Sequence, residues 1–170
     1  TPVFDGALVR NLETIAFLES KGIHKAVIAD SSIYVWNSYA CRFMTEKAAE
    51  LYAPSELNSY ELKDVQKTAE GNRSIYSIVI YGRIPMMISA GCLKKTEGEC
   101  RMISGFSELS DRYQKQFPVY NDCTSCYNII YNSVPLSLHK IFDQDVFRPV
   151  NCRLDFTTEN QEETRKIISY

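Results

Sequence analysis

The apolar positions change period along this chain, and each change marks an element. Leu8, Leu12, Ile15 and Ala16 recur at helical spacing, and Lys21-Gly22 supplies a stop. This predicts an amphipathic helix over about 7 to 21. Ala26 to Ala29 is apolar throughout, as a strand covered on both faces would be, and Ile33 to Trp36 continues it past a kink at Asp30-Ser31-Ser32. Asn37 is placed to cap a helix whose apolar face is Ala40, Phe43 and Met44. The alternation repeats with a strand at Leu51 to Ala53, a helix capped at Asn58-Ser59 carrying Leu62, Val65 and Ala69, and a strand from Ile75 to Tyr81 stopped by Gly82.

Between Met87 and Asp122 no clean period survives. Strand character returns at Tyr127 to Tyr131. Pro135 opens a short helix with Leu136, Leu138, Ile141 and Phe142. Val150 to Phe156 reads as a strand, and Thr158 with Gln161 as the capping box of a last helix. Strands alternating with helices predict an α/β fold with a mainly parallel sheet, in one domain over 1–170. The interrupted stretch 87–126 is then an insertion, and loops of that length are usually functional or disordered.

Composition narrows the classes. The chain has 170 residues, 45% of them apolar and 24% charged, with a formal net charge of −2. That balance suits a globular domain and excludes a broadly basic nucleic-acid-binding surface. No apolar run reaches the length of a membrane span, and no secretory signal segment opens the chain. We therefore expect a cytoplasmic protein without a membrane partner. The chain starts Thr1-Pro2, without Met, and is expected to be part of a longer polypeptide whose remainder is a partner of this piece.

Six cysteines are the main candidate chemistry. Cys92, Cys100, Cys123 and Cys126 read C-x7-C-x22-C-x2-C inside the irregular stretch. Four thiolates suit tetrahedral zinc or an iron–sulfur cluster, since both take soft sulfur ligands. Four reduced packed thiols, or a redox C-x-x-C at Cys123 and Cys126, are the competing readings. Cys41 and Cys152 lie in apolar settings and are assigned to packing. Glu56 and Asn58 follow a strand end, where α/β folds place their sites, although helix capping also explains Asn58. Arg153 and Asp155 alternate with Cys152 and Leu154 along the last strand, as charges facing a barrel mouth, a mutual pair or an edge strand would.

Several segments resemble one family. Asp30 to Asn37 resembles a "DxSLxxxN" strand, and Glu56-Leu57-Asn58 with Glu61-Leu62 resembles "ELNxxEL". Tyr81 to Cys92 is similar to "HGxxCxxxSxxC", Cys123 to Tyr127 to a C-x-x-C-aromatic step, and Val150 to Thr157 to a closing "LRIDFT" strand. Together and in this order they resemble the bacterial collagenase-like peptidases, peptidase family U thirty-two. The resemblance implies a TIM-like (β/α) barrel of which this chain supplies the second half. It implies a peptidase, or alternatively an RNA- or small-molecule-hydroxylating enzyme with a four-iron four-sulfur cluster. A non-catalytic zinc-stapled module is the third possibility. Cys92 and Cys123 match cluster positions, Pro85 stands where another family cysteine falls, and Cys100 and Cys126 complete the expected ligand set. Tyr81 takes the place of the family's usual His. Glu56, Asn58, Arg153 and Asp155 would line the substrate site, for a peptide or RNA. A half barrel also exposes sheet edges, through which two copies would pair.

Overall fold

A computed structural model describes residues 4–98, 100–138 and 151–169. They fall into two compact units. The first contains 4–80, 138 and 151–154, and the second 81–137 and 155–169.

In the first unit, strands β1 (Gly6–Val9), β2 (Ala26–Ala29), β3 (Glu50–Tyr52) and β4 (Ile75–Gly82) pair in parallel in chain order. Strand β10 (Cys152–Asp155) adds beyond β4. Helices α1 (Leu12–Ser20), α2 (Ser38–Thr45) and α3 (Ser59–Gly71) make the connections between β1 and β4. Each begins at an asparagine whose side chain accepts backbone N–H groups: Asn11 for α1, Asn37 for α2 and Asn58 for α3. At α3, Glu61 accepts in return from the Asn58 N–H, which closes a capping box. The core between helices and sheet holds Val9, Val35, Cys41, Leu51, Val65 and Tyr76, all essentially without exposed surface.

The second unit is built differently. Strands β5 (Pro85–Ser89), β6 (Gly105–Ser110), β7 (Gln116–Asp122) and β8 (Tyr127–Tyr131) form a wholly antiparallel sheet in the order β5-β8-β7-β6. A one-turn helix, α4 (Leu93–Thr96), follows β5. The short β9 (Leu136–Ser137) pairs antiparallel with Tyr81 and Gly82. Helix α5 (Gln161–Ile168) starts at Asn160, boxed with Glu163.

The expected mainly parallel sheet of a partial TIM-like barrel is therefore corrected. Only the first unit repeats parallel strand and helix, and the expected insertion 87–126 supplies β6, β7 and part of β5 to an antiparallel sheet that the expected strand at Tyr127–Tyr131 completes. The reason is local. β6 and β7 are joined by a tight turn in which Asp111 Oδ1 accepts the N–H groups of Tyr113 and Lys115. β7 and β8 are joined by Cys123 to Cys126, where Asp122 Oδ1 accepts from Thr124 and Ser125. Such short connections permit antiparallel neighbours alone, because a parallel pair needs a crossover of a dozen or more residues.

Two boundaries also differ. The helix expected from residue 7 begins at 12, after the strand β1. Ile33 to Trp36 does not extend β2; Ser31–Ile33 is a single 3-10 turn closed by Tyr34 in the left-handed region, φ 56°. The helix expected through Phe142 lies mostly outside the described residues, and Leu136 and Ser137 near its expected start form β9.

Candidate functional site

Parallel α/β sheets gather ligands beyond the carboxyl ends of their strands, where loops diverge and side chains are free to converge. In the first unit those ends carry Arg10 after β1, Asp30 after β2, Tyr52 closing β3, and Arg153 in β10. They are connected. Asp30 Oδ2 accepts from Arg10 Nε and Oδ1 from Arg153 Nη2, both at 2.9 Å. Oδ1 also accepts the Ser31 N–H at 2.9 Å. The Asp30 side chain is 6% exposed, Arg153 20% and Arg10 73%. Arg153 lies over the Tyr52 ring, 4.5 Å from its centroid. A buried carboxylate thus orients two guanidinium groups, one packed on an aromatic face and one facing water.

Burial would raise the pKa of Asp30, but the Arg153 charge and hydrogen bond, with the Ser31 N–H and Arg10, outweigh it and hold the carboxyl below its ordinary value. The neighbouring turn is tied in by Ser32 Oγ, which donates to the Arg10 carbonyl. It presents Tyr34 and Trp36, half-exposed and stacked at 6.0 Å with an 11° interplanar angle. A tyrosine held at positive φ is uncommon, and such strain concentrates at ligand sites.

Of the four predicted substrate residues, Arg153 belongs to this cluster. Asn58 is the cap of α3, and Glu56 is exposed with Ser55 Oγ donating to it. Asp155 lies in the second unit, its backbone against Gly82. Arg10, Asp30 and Tyr52 were not among the predicted site residues. Asp30 directly follows the apolar run at 26–29, so the strand-end rule applied to Glu56 would have found it.

The cysteines occupy the second unit, apart from Cys41 and Cys152. Ser89, Asn128 and Asn121 are register partners across β5, β8 and β7. Asn128 Nδ2 donates to the Gly91 carbonyl at 2.7 Å, and the Cys123 N–H donates to Ser104 Oγ at 3.0 Å. Cys92, Cys123 and Cys126 therefore sit at one end of this sheet. Even so, no three Cys, His, Asp or Glu side chains among the described residues converge as a ligand group.

The thiols differ in burial. Cys41 is buried, and burial pushes its pKa to about 11. Cys100 and Cys126 are exposed, and so is Cys152, which corrects its assignment to packing, although desolvation still raises its pKa. A chromogenic disulfide reagent at pH 8 is expected to modify Cys100 and Cys126 rapidly and Cys41 only on unfolding, because the thiolate attacks. Mass mapping of the modified peptides checks this.

A second cluster lies in the second unit, around a cleft of about 330 Å³. The Tyr81 hydroxyl donates to Glu159 Oε1 at 3.0 Å, and Glu159 Oε2 accepts the Thr157 and Thr158 N–H groups. Burial, then the Glu159 hydrogen bond and charge, push Tyr81 up to about 12. Burial opposes ionisation of Glu159 as well, but its backbone donors and Tyr81 prevail and hold its pKa down. Arg83 donates to Thr158 Oγ1 and to the carbonyls of Asn132 and Ser133.

Comparison with protein-family models, with curated proteins and with solved structures finds no match. No helix among the described residues is long and apolar enough to cross a membrane.

Proposed function

We propose that this chain is the substrate-recognition part of a collagenase-like peptidase-type protein, and that its first unit binds a peptide through a carboxylate on Arg10. The observation that carries the reading is the Arg10 guanidinium fixed by a buried aspartate at the strand carboxyl ends. Only Nε is engaged on Asp30, and the two Nη groups carry no hydrogen bond among the described residues. That leaves a planar fork of donors facing solvent, the geometry that takes a carboxylate in bidentate fashion. The family-like segments give the peptide its place as ligand. The aromatic pair Tyr34 and Trp36 offers apolar surface for a neighbouring side chain.

The test is a titration followed by Trp36 fluorescence. A tetrapeptide with a free carboxyl terminus is expected to bind at least tenfold tighter than its C-terminal amide, since charge-assisted pairs contribute about 1.5–3 kcal/mol. Arg10→Ala is expected to erase the difference. Equal affinity for acid and amide would overturn the peptide reading. The stacked rings also suit nucleobases, and their cation suits phosphate. Tighter binding of a short single-stranded RNA than of any peptide, dependent on Arg10, would move the assignment to the RNA-modifying alternative.

A further inference from the structure

In the second unit Arg83 has no counter-ion within ion-pair distance among the described residues. Arg83 is half-buried and lines the cleft with Tyr81, Pro135, Thr158, Glu159, Glu163, Lys166 and Ile167, of which Lys166 is already paired with Glu162 at 3.0 Å. Nε and Nη1 are spent on neutral oxygens: a hydroxyl at 3.1 Å and two carbonyls at 2.9 and 2.7 Å. Three acceptors on one planar group hold it rigidly, and Nη2 is left over. Among the described residues no carboxylate lies within ion-pair distance of Arg83. A partly desolvated guanidinium without an anion is costly to keep, and a ligand carboxylate would relieve that cost.

A simple anion would not be the best occupant. Glu159 is held ionised, and Glu163 adds a second carboxylate on α5. Tyr81 stays neutral, so it brings no further charge. Pro135 and Ile167 supply apolar wall, and the cleft is at the small end of ligand pockets. Opposite charges around a small, partly apolar space match a zwitterion with a modest side chain.

We propose that the cleft of the second unit binds a free α-amino acid, its carboxylate on Arg83, its ammonium on Glu163 and its side chain against Pro135 and Ile167. Different residues carry this site and the peptide site of the first unit, so either reading can fail alone.

Calorimetry on the full chain at pH 7 with L-leucine, L-leucinamide and isocaproate tests it. L-leucine is expected to bind at least tenfold tighter than the amide, which lacks the carboxylate, and than isocaproate, which lacks the ammonium. Arg83→Gln is expected to weaken L-leucine at least tenfold. Because Arg83 also braces two loop carbonyls, Glu163→Gln is the second variant: Gln keeps an oxygen for the Asn160 N–H that Glu163 accepts. It is expected to bring L-leucine down to the affinity of isocaproate while leaving isocaproate unchanged. No saturable heat with L-leucine, or equal affinity for L-leucine and isocaproate in the unaltered chain, would overturn the proposal.

Discussion

Asp30→Asn is expected to destabilise the first unit by about 3 kcal/mol and to abolish the acid-over-amide preference for peptides. Removing one partner of a buried ion pair costs roughly 3–5 kcal/mol, because the other charge stays behind uncompensated. The low end applies here. Arg10 is largely solvated and loses little, whereas Arg153 is one-fifth exposed and keeps some water. The amide nitrogen of the introduced side chain would also point a donor at one of two guanidinium groups. The chain has a single Trp, Trp36, which follows the turn that Asp30 caps, so urea denaturation followed by its fluorescence reads the first unit. A loss under 1 kcal/mol would mean that the two arginines find other anchors and that Asp30 does not position them.

Acid supplies an independent check on the same group. The folded-state pKa of Asp30 lies below its ordinary value near 3.8. Its contribution to stability is therefore complete above that value and is lost as pH falls through the folded-state pKa. The amide introduced by Asp30→Asn does not titrate. The stability gap between the parent and this variant should therefore be constant from neutrality down to about pH 4 and narrow below it. A gap that closes well above that range would mean that the Asp30 carboxylate is not the group that carries the stability difference.

The first unit was largely legible in the sequence because its signals are local and agree with one another. Apolar runs at 26–29 and 75–80 are buried strands, and Asn37 and Asn58 cap helices where the pattern placed them. β1 was missed because Leu8 and Leu12 happen to fall at helical spacing. In fact Val9 is the buried strand residue, and Asn11 resets the chain before α1.

The antiparallel sheet was illegible for other reasons. β5 exposes Met86, Met87 and Ile88 in succession, so it shows no inside–outside alternation. β6 does alternate, but its less exposed positions are Gly105, Ser107 and Leu109, of which Leu109 alone is apolar. Pro118 in β7 reads as a breaker, yet it sits opposite Glu108 within the ladder. The stronger warning was length: a structureless loop of some 35 residues within a compact domain argues against the assignment that needs it. The Asp30 cluster was hidden by sequence distance, since Arg10, Asp30 and Arg153 meet only once β1, β2 and β10 have joined the sheet.

Gly82→Ala is expected to be the most damaging single methyl in the second unit, at roughly 3 kcal/mol, the top of the usual range for overpacking. A Cβ at this position would lie 2.7 Å from the Asp155 carbonyl oxygen and 2.8 Å from its Cβ. One of those atoms is backbone, so rotating a side chain does not clear the clash. The glycine φ of +148° is also one that an L-residue rarely adopts. Separation of Gly82 from Asp155 would be felt on both sides. Tyr81 precedes the glycine and packs at 5.7 Å on Phe156, and its hydroxyl donates to Glu159. Faster amide exchange at 81–82 and 155–159, with loss of L-leucine binding and unchanged Arg10-dependent peptide binding, is the expected signature. Gly71→Ala is the matched control. It closes α3, would meet nothing within 4 Å, and should gain roughly 0.5 kcal/mol from the higher helix propensity of Ala. If the two glycine variants melt alike, close approach at Gly82 does not hold the cleft together, and the Tyr81–Glu159 pair must be fixed from α5 alone.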